Sequence, residues 1–416
     1  MNPRPPLKPL SQALAQLLAA VEPLNATEQV ATLDADGRVL AQDVVSALHV
    51  PPQDNSSMDG YALRCADVPQ VGTLLPQSQR IAAGMGAKPL EAGTLARIFT
   101  GAPLPPGADA VVLQEDCTVQ DAADGAVPSV RVNVLPQHGQ WIRRAGEDVA
   151  RGDVVLARGI RLGPAELGQA AGVGMGSLQV LRRVRVALFS TGDELVMPGD
   201  CAPADMPPGA IYNSNRFFLV SLLRRLGCEV SDLGIVPDQR AATVEALRNA
   251  AHTHDLIVTS GGVSVGEEDH IKPAVQALGS LDLWQIAIKP GKPFAHGRIG
   301  WAHFVGLPGN PVSSFVTFLL LVRPLLRKLQ GVSQAGLGDL GGVPTRADFD
   351  WPRADKRQEF VRVRRNAQGG LDVFPNQSSG VLTSLVWGDG LVNLAPGQTV
   401  ARGDMVAYLG FAELLT

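Results

Sequence analysis

Hydrophobic and polar positions fall into two regimes along the chain. Between residues 185 and 306, short and nearly continuous apolar runs at 185–190 (RVALFS), 228–236, 255–259 (DLIVT), 283–288 and 301–306 are separated by segments with apolar residues at helical spacing. The spacing predicts a helix capped by Asn213 through Phe217, Leu222, Leu223 and Leu226. It predicts further helices over 239–251, 271–278 and 312–330, the last with Asn310 at its cap and Pro311 in its first turn. Buried strands alternating with helices predict a parallel sheet covered on both faces. Elsewhere the pattern changes. Residues 61–134 and 343–416 hold short β-branched runs broken by glycine and proline, which predict two β-rich units, the second barrel-like. Ser11 is placed to cap an N-terminal helix over Leu14, Leu17, Leu18 and Val21, and a short helix at 163–174 is expected to pack against it. The expected fold is therefore a multidomain α/β chain. It comprises a discontinuous helical N-terminal domain (1–48 plus 142–178), a β-rich insert (49–141), an α/β domain (179–330) and a C-terminal β domain (338–416).

Composition narrows the class without changing that outline. With 416 residues, 45% hydrophobic and 18% charged, the chain reads as globular, and its length suits several cores rather than one. A net charge of -4 argues against an extended nucleic-acid surface. Cys65, Cys117, Cys201 and Cys228 have no metal-ligand or redox spacing and read as reduced thiols. The first residues carry prolines where an export signal needs an unbroken apolar core. The most apolar run, 315–322, ends at Arg323 and Pro324, short of the roughly 20 residues that span a bilayer. A cytoplasmic protein without membrane or nucleic-acid partners is expected.

The chemistry gathers in the loops. Open α/β sheets bind ligands beyond the carboxyl ends of their strands. Three acid-bearing loops fall there: 191–195 with Glu194, then Asp238, then 261–269 with Asp269. The last belongs to TSGGVSVGEEDH (259–270), where Gly261 and Gly262 follow a buried strand, Ser264 and Gly266 continue the loop, and Glu267, Glu268 and Asp269 end it. Paired glycines let backbone N–H groups approach an anion, and carboxylates beside that anion call for a cation between them. Magnesium suits such oxygen ligands, being commonly held by one or two carboxylates with substrate phosphates. KPGKPFAH (289–296) adds Lys289 and Lys292, and LPGNP places Pro308 and Asn310 at the same rim. Each acid alone also reads as a turn or helix-cap residue; the shared rim is what points to a magnesium and phosphate site. PPQDNSSMDGYAL (51–63) reads by composition as a polar turn, Thr100 and Gly101 end a strand, and alternation in FVRVR puts Arg362 and Arg364 on one, expectedly solvated, sheet face.

Taken in order, DNSSMDGYAL, RIFTGAPLPPGADAVV, RRAGEDV, FSTGDEL, TSGGVSVGEEDH, KPGKPFAHG, LPGNPVSS, RQEF and QSSG make the chain resemble the molybdopterin molybdenumtransferases of the bacterial MoeA family, whose animal counterpart is a domain of gephyrin. The resemblance covers essentially the whole chain. It implies a Mog-like α/β domain and insertion of molybdate into adenylylated molybdopterin with magnesium-dependent release of AMP. It places Glu194, Asp238 and Asp269 around magnesium and pyrophosphate, and Lys289 and Lys292 on phosphate or molybdate oxygens. Asp59, Thr100, Asp148, Arg357 and Ser379 match further functional positions, with Gly261, Gly262, Ser264, Gly266, Pro308 and Asn310 as binding residues. It also implies a homodimer whose site lies at the subunit interface, and dealings with the molybdopterin adenylyltransferase and with molybdoenzyme-maturation proteins. His296, where the family usually has an aromatic residue, and Ser378, where glycine is usual, depart from the pattern. Two alternatives stand beside this reading: the related adenylyltransferase, and a gephyrin-like scaffold or cofactor-storage module.

Overall fold

The computed structural model describes residues 7–120, 127–262, 270–333 and 341–415. At its centre lies a six-stranded sheet of β1 (Arg185–Thr191), β2 (Glu229–Val236), β3 (Leu256–Ser260), β4 (Gly279–Gln285), β5 (Pro293–Ile299) and β6 (Ala302–Leu307), in the order β2-β1-β3-β6-β5-β4. Helices α1 (Ser214–Arg225), α2 (Arg240–Thr253), α3 (Ile271–Leu278) and α4 (Pro311–Thr317) connect or follow these strands. Alternate β1 residues divide two cores: Val186 and Leu188 pack with Leu219, Leu223 and Phe318, whereas Ala187 and Phe189 pack with Leu247, Ile271 and Phe304. Burial on both faces is why the strand sequences read as unbroken apolar runs.

The sheet is not wholly parallel. Strands β1, β2, β3 and β6 are parallel, but β5 runs antiparallel to both β6 and β4. Only Gly300, at φ 59°, and Trp301 separate β5 from β6, and so tight a hairpin cannot join parallel neighbours. The expected strand at 283–288 starts earlier, at Gly279. A Cβ there would stand 1.9 Å from the Arg298 carbonyl oxygen.

The long helix expected after β6 continues past Arg323 and Pro324, where the apolar run ends. It passes from α4 through a π-helical stretch, Phe318–Val322, into Arg323–Leu329. Pro324 has no N–H to give and its ring crowds the carbonyl one turn earlier, which accounts for the widened turn just before it. At the other end of the chain, helix Leu10–Ala19 is preceded by Pro9 without a side-chain cap, so Ser11 lies inside the helix. Lys8 anchors that entry, donating its N–H to Gln285 O (2.8 Å) and accepting from Ala287 N (2.7 Å).

Around the central sheet, Thr27–Ala31 pairs with Ser177–Leu181, Val44–Val45 with Val154–Leu156, and Asn55–Ser56 with Ile142–Arg143. The first two pairings join the segments flanking the insert and the third ties the base of the insert to Ile142–Arg143; the insert's own sheet runs from Gly60 to Val132. The domain division given above remains our proposal. The short helix Pro164–Gly172 does not pack on the first helix: its Ala170 joins Leu40, Val44 and Leu178, while Leu10, Ala13 and Leu17 face the central core.

In the C-terminal sheet the two-residue strand Ile288–Lys289 is followed by Gln358–Arg365, Gly390–Leu394, Met405–Gly410 and Val343–Arg346. Arg362 is buried there rather than solvated, at 1% exposure, because the short helix Thr383–Trp387 covers its face. Its Nε donates to Ser384 Oγ and its Nη2 to Ser378 O, both at 3.1 Å, and burial pushes its pKa down to about 10. Arg364, further along, stacks over Trp387. No helix among the described residues is long and apolar enough to cross a membrane.

His296 fills an aromatic row. It lies 6.1 Å from the Trp284 ring and stacks on His303 at 5.6 Å and 23°. Burial holds both imidazoles near a pKa of about 4; Asp282 and Asp255 pull upward and Arg298 downward. From pH about 6.5 down to about 4 the unfolded chain takes up protons that the folded protein refuses, so stability present above that window is lost across it. Chemical denaturation is expected to show a loss on the order of 3 kcal/mol for each imidazole, about twice that for the pair, between pH 7 and 4. In His296→Phe roughly half of that slope should vanish.

Candidate active site

A cleft of about 550 Å³ opens beyond the carboxyl ends of β1, β3 and β6. Glu194, Asp238, Gly261, Gly262, Pro308 and Asn310 all line it, so six of the residues expected from sequence share one concave surface. The wall is cross-braced by Asn215, whose Nδ2 donates to Ser260 Oγ at 2.8 Å and to Gly309 O at 2.7 Å. Asn213 caps α1 by accepting the Arg216 N–H.

Local backbone rules fix the loops. Glu194 accepts the Ile211 N–H through its carbonyl at 2.8 Å, and Leu195 donates to Gly192 O at 3.0 Å. A Cβ on Gly192 would meet the Glu194 carboxylate at 2.5 Å, so the acid folds back over bare backbone. Gly261 and Gly262 adopt φ of 94° and 67°, where a side chain is strained. A Cβ on Gly262 would also strike Ile271 at 2.5 Å, which explains the glycine pair. Asn310 stands at the helix start, but its side chain makes no cap bond; its carbonyl accepts Ser314 N–H.

The lysine and arginine positions form a second group, at the seam with the C-terminal sheet. Strand pairing sets Lys289 opposite Glu359. Lys289 Nζ lies 2.7 Å from Glu359 Oε1 and 3.6 Å from Asp355 Oδ2. Asp355 also receives Arg357 Nε and Nη2, both at 3.0 Å, and the Arg357 guanidinium holds its carboxyl well below the usual range. Trp351 Nε1 donates to Glu359 Oε2 at 3.1 Å. This group abuts the cleft wall. Gly291 leaves no room for a Cβ against Thr317 of α4, and Ser379 O accepts the Val312 N–H from the first turn of that helix. Lys292 meets the fold through its carbonyl, which accepts Ile286 N–H.

Asp59, Thr100 and Asp148 lie elsewhere. Asp59 Oδ1 accepts both the backbone N–H and the hydroxyl of Thr100, each at 2.8 Å, and these bonds lower its pKa. Both residues are exposed on the insert, and Asp148 is exposed where its N–H donates to Val50 O. None of the three lines the cleft of its own chain. Asp54, in the polar turn before Asp59, is structural: it accepts Ala145 N–H and pairs with Arg144.

Ser264, Gly266 and Asp269 lie outside the described residues. Among the described residues no three of His, Cys, Asp and Glu form a group able to hold a metal ion. Glu194 and Asp238 nevertheless supply the one or two carboxylates with which magnesium is usually held beside phosphates. Sequence reading passed over Asp355, Glu359 and Asn215. Glu359 carries a signal after all, since it alternates with Val361 and Val363 on an apolar strand face, a position where an acid must find a partner.

Three family descriptions match in register with this layout: "MoeA N-terminal region (domain I and II)" over 8–174, "Probable molybdopterin binding domain" over 187–328 and "MoeA C-terminal region (domain IV)" over 344–411. A molybdopterin molybdenumtransferase from Haemophilus influenzae is 43% identical over 78% of each chain. One from a Nostoc species is 33% identical over 98% of this chain and 94% of its own. The chain belongs to the MoeA family. A crystal structure of a Pyrococcus horikoshii molybdopterin biosynthesis MoeA protein superposes with a TM-score of 0.83 at 28% identity, covering 97% of this chain and 99% of the other. The cleft of this MoeA-family chain lies wholly in the region described as molybdopterin-binding, and the seam group joins that region to domain IV.

Proposed function

We propose that the protein inserts molybdate into the dithiolene of an adenylylated molybdopterin, releasing AMP with the help of magnesium. The observation that carries this is the meeting of Glu194 and Asp238, from loops after two different strands, in a cleft floored by the Gly261-Gly262 backbone. Breaking a phosphoanhydride needs developing negative charge neutralised more than it needs a strong nucleophile. Held by Glu194 and Asp238, with Asp269 as a third ligand, magnesium would supply that neutralisation. Gly261 and Gly262 let the diphosphate approach main-chain donors, Pro308 and Asn310 shape the far wall, and Asn215 keeps the walls in register. Lys289 and Lys292, with Arg357 and Ser379, would meet molybdate oxygens from the seam. Molybdate is the second substrate, a dianion that fixed cations suit.

Asp59, Thr100 and Asp148 take part if the insert of a second copy faces the cleft. That reading is supported by their exposure and by a cleft lined, among the described residues, only from 191 to 313. The protein is then a homodimer with two composite centres.

Incubation of the purified protein with adenylylated molybdopterin, magnesium and molybdate tests the reaction. AMP release that requires molybdate is expected. Binding without turnover would favour a storage module, and formation of the adduct from free molybdopterin and ATP would favour an adenylyltransferase.

A further inference from the structure

Lys289 and Arg357 do not stand alone at the seam, and the acids between them have so far been given no role. Lys289 Nζ is 2.7 Å from Glu359, whose side chain is 5% exposed, whereas that of Lys289 is 38% exposed. The carboxylate is therefore the fixed partner and the ammonium the accessible one. Glu359 is held from behind by Trp351 Nε1 at 3.1 Å and from the side by strand pairing, which sets it opposite Lys289. Asp355 bridges Lys289 at 3.6 Å to Arg357 at 3.0 Å. From this geometry we infer that Glu359 is a positioning residue: it anchors the Lys289 ammonium so that Lys289 and Arg357 present their remaining N–H groups together to a tetrahedral oxyanion. The inference rests on the reading above, in which Lys289 acts on molybdate.

Two effects of removing the Glu359 charge oppose one another. Losing an acid beside an anion site favours anion binding, while releasing the ammonium costs alignment in the reacting complex. A positioning role therefore has a particular signature. Glu359→Gln is expected to lower kcat for molybdate-dependent AMP release at least about tenfold without raising the KM for molybdate. A purely structural role would lower activity only in proportion to the folded fraction, read from circular dichroism on the same sample. That result, or a kcat within about twofold of wild type, would overturn the inference. Should Glu359→Gln fold poorly, Glu359→Asp keeps the charge and draws it back by one methylene. A folded Glu359→Asp is expected to lose kcat at an unchanged unfolding midpoint, and full activity in it would equally overturn the role. The wild-type protein run in parallel separates the two levels. Absence of AMP release there defeats the parent reading and this inference with it, whereas a normal wild type beside a normal variant defeats the inference alone.

Discussion

Asp238→Asn is expected to lower molybdate-dependent AMP release by about two to three orders of magnitude while leaving the unfolding midpoint nearly unchanged, the loss typical of deleting one group that stabilises charge in the transition state. The amide keeps the shape of the side chain and removes only its charge. Asp238 is half-buried on the cleft wall and takes part in no ion pair among the described residues, so the fold has little to lose. The effect belongs instead to the cation that Asp238 and Glu194 would share. With one carboxylate gone, magnesium affinity would fall, and activity is expected to recover in part as magnesium is raised. Turnover assays over a magnesium series, with thermal unfolding on the same preparations, check both halves. Normal turnover at ordinary magnesium would remove Asp238 from the centre.

Lys289→Ala behaves differently, because its ammonium serves two purposes. Its loss would remove a cation from the proposed oxyanion site, and among the described residues it leaves the buried Glu359 carboxylate with only the Trp351 N–H to satisfy it. Breaking a fully buried pair from one side costs about 3–5 kcal/mol, and the exposure of Lys289 brings the expected cost below that range. A fall of a few degrees in the unfolding midpoint is thus expected alongside the loss of turnover. Pairing the change with Glu359→Gln should restore most of the stability and none of the activity, since the stranded charge is gone while the ammonium is still missing. If the double variant stays as unstable as the single one, the Lys289–Glu359 contact is not what holds the seam.

Much of this arrangement was legible in the sequence because of one property of buried parallel strands. They read as unbroken apolar runs, so their carboxyl ends, and with them Glu194, Asp238 and the Gly261-Gly262 turn, can be placed without knowing which strand neighbours which. Helix Ile271–Leu278 was legible for a similar local reason, its apolar residues falling on one face. What escaped depended on partners distant in the chain. The pairing of Ile288–Lys289 with Gln358–Arg365 is invisible in either segment alone, and with it the engagement of Lys289 by Glu359. Arg362 read as solvated because alternation shows which residues share a face but not what covers that face, here the helix Thr383–Trp387. The β5–β6 hairpin is not legible because its Gly-Trp turn reads as the start of a strand, and the alternating α/β pattern hides the antiparallel edge. His296 departs from the family pattern yet fits, because an imidazole kept neutral by burial can stack in an aromatic row.

The claim on which the rest turns is that each catalytic centre combines the cleft acids of one copy with Asp59 of another. Molybdate-dependent AMP release by mixed dimers tests it most directly. Asp59→Asn and Asp238→Asn are each expected to be inactive alone. Refolded or co-expressed together at equal amounts, half of the dimers are mixed and each mixed dimer carries one intact centre, so activity should return to about one quarter of the wild-type value. A mixture as inactive as either variant by itself would contradict a centre shared between two copies.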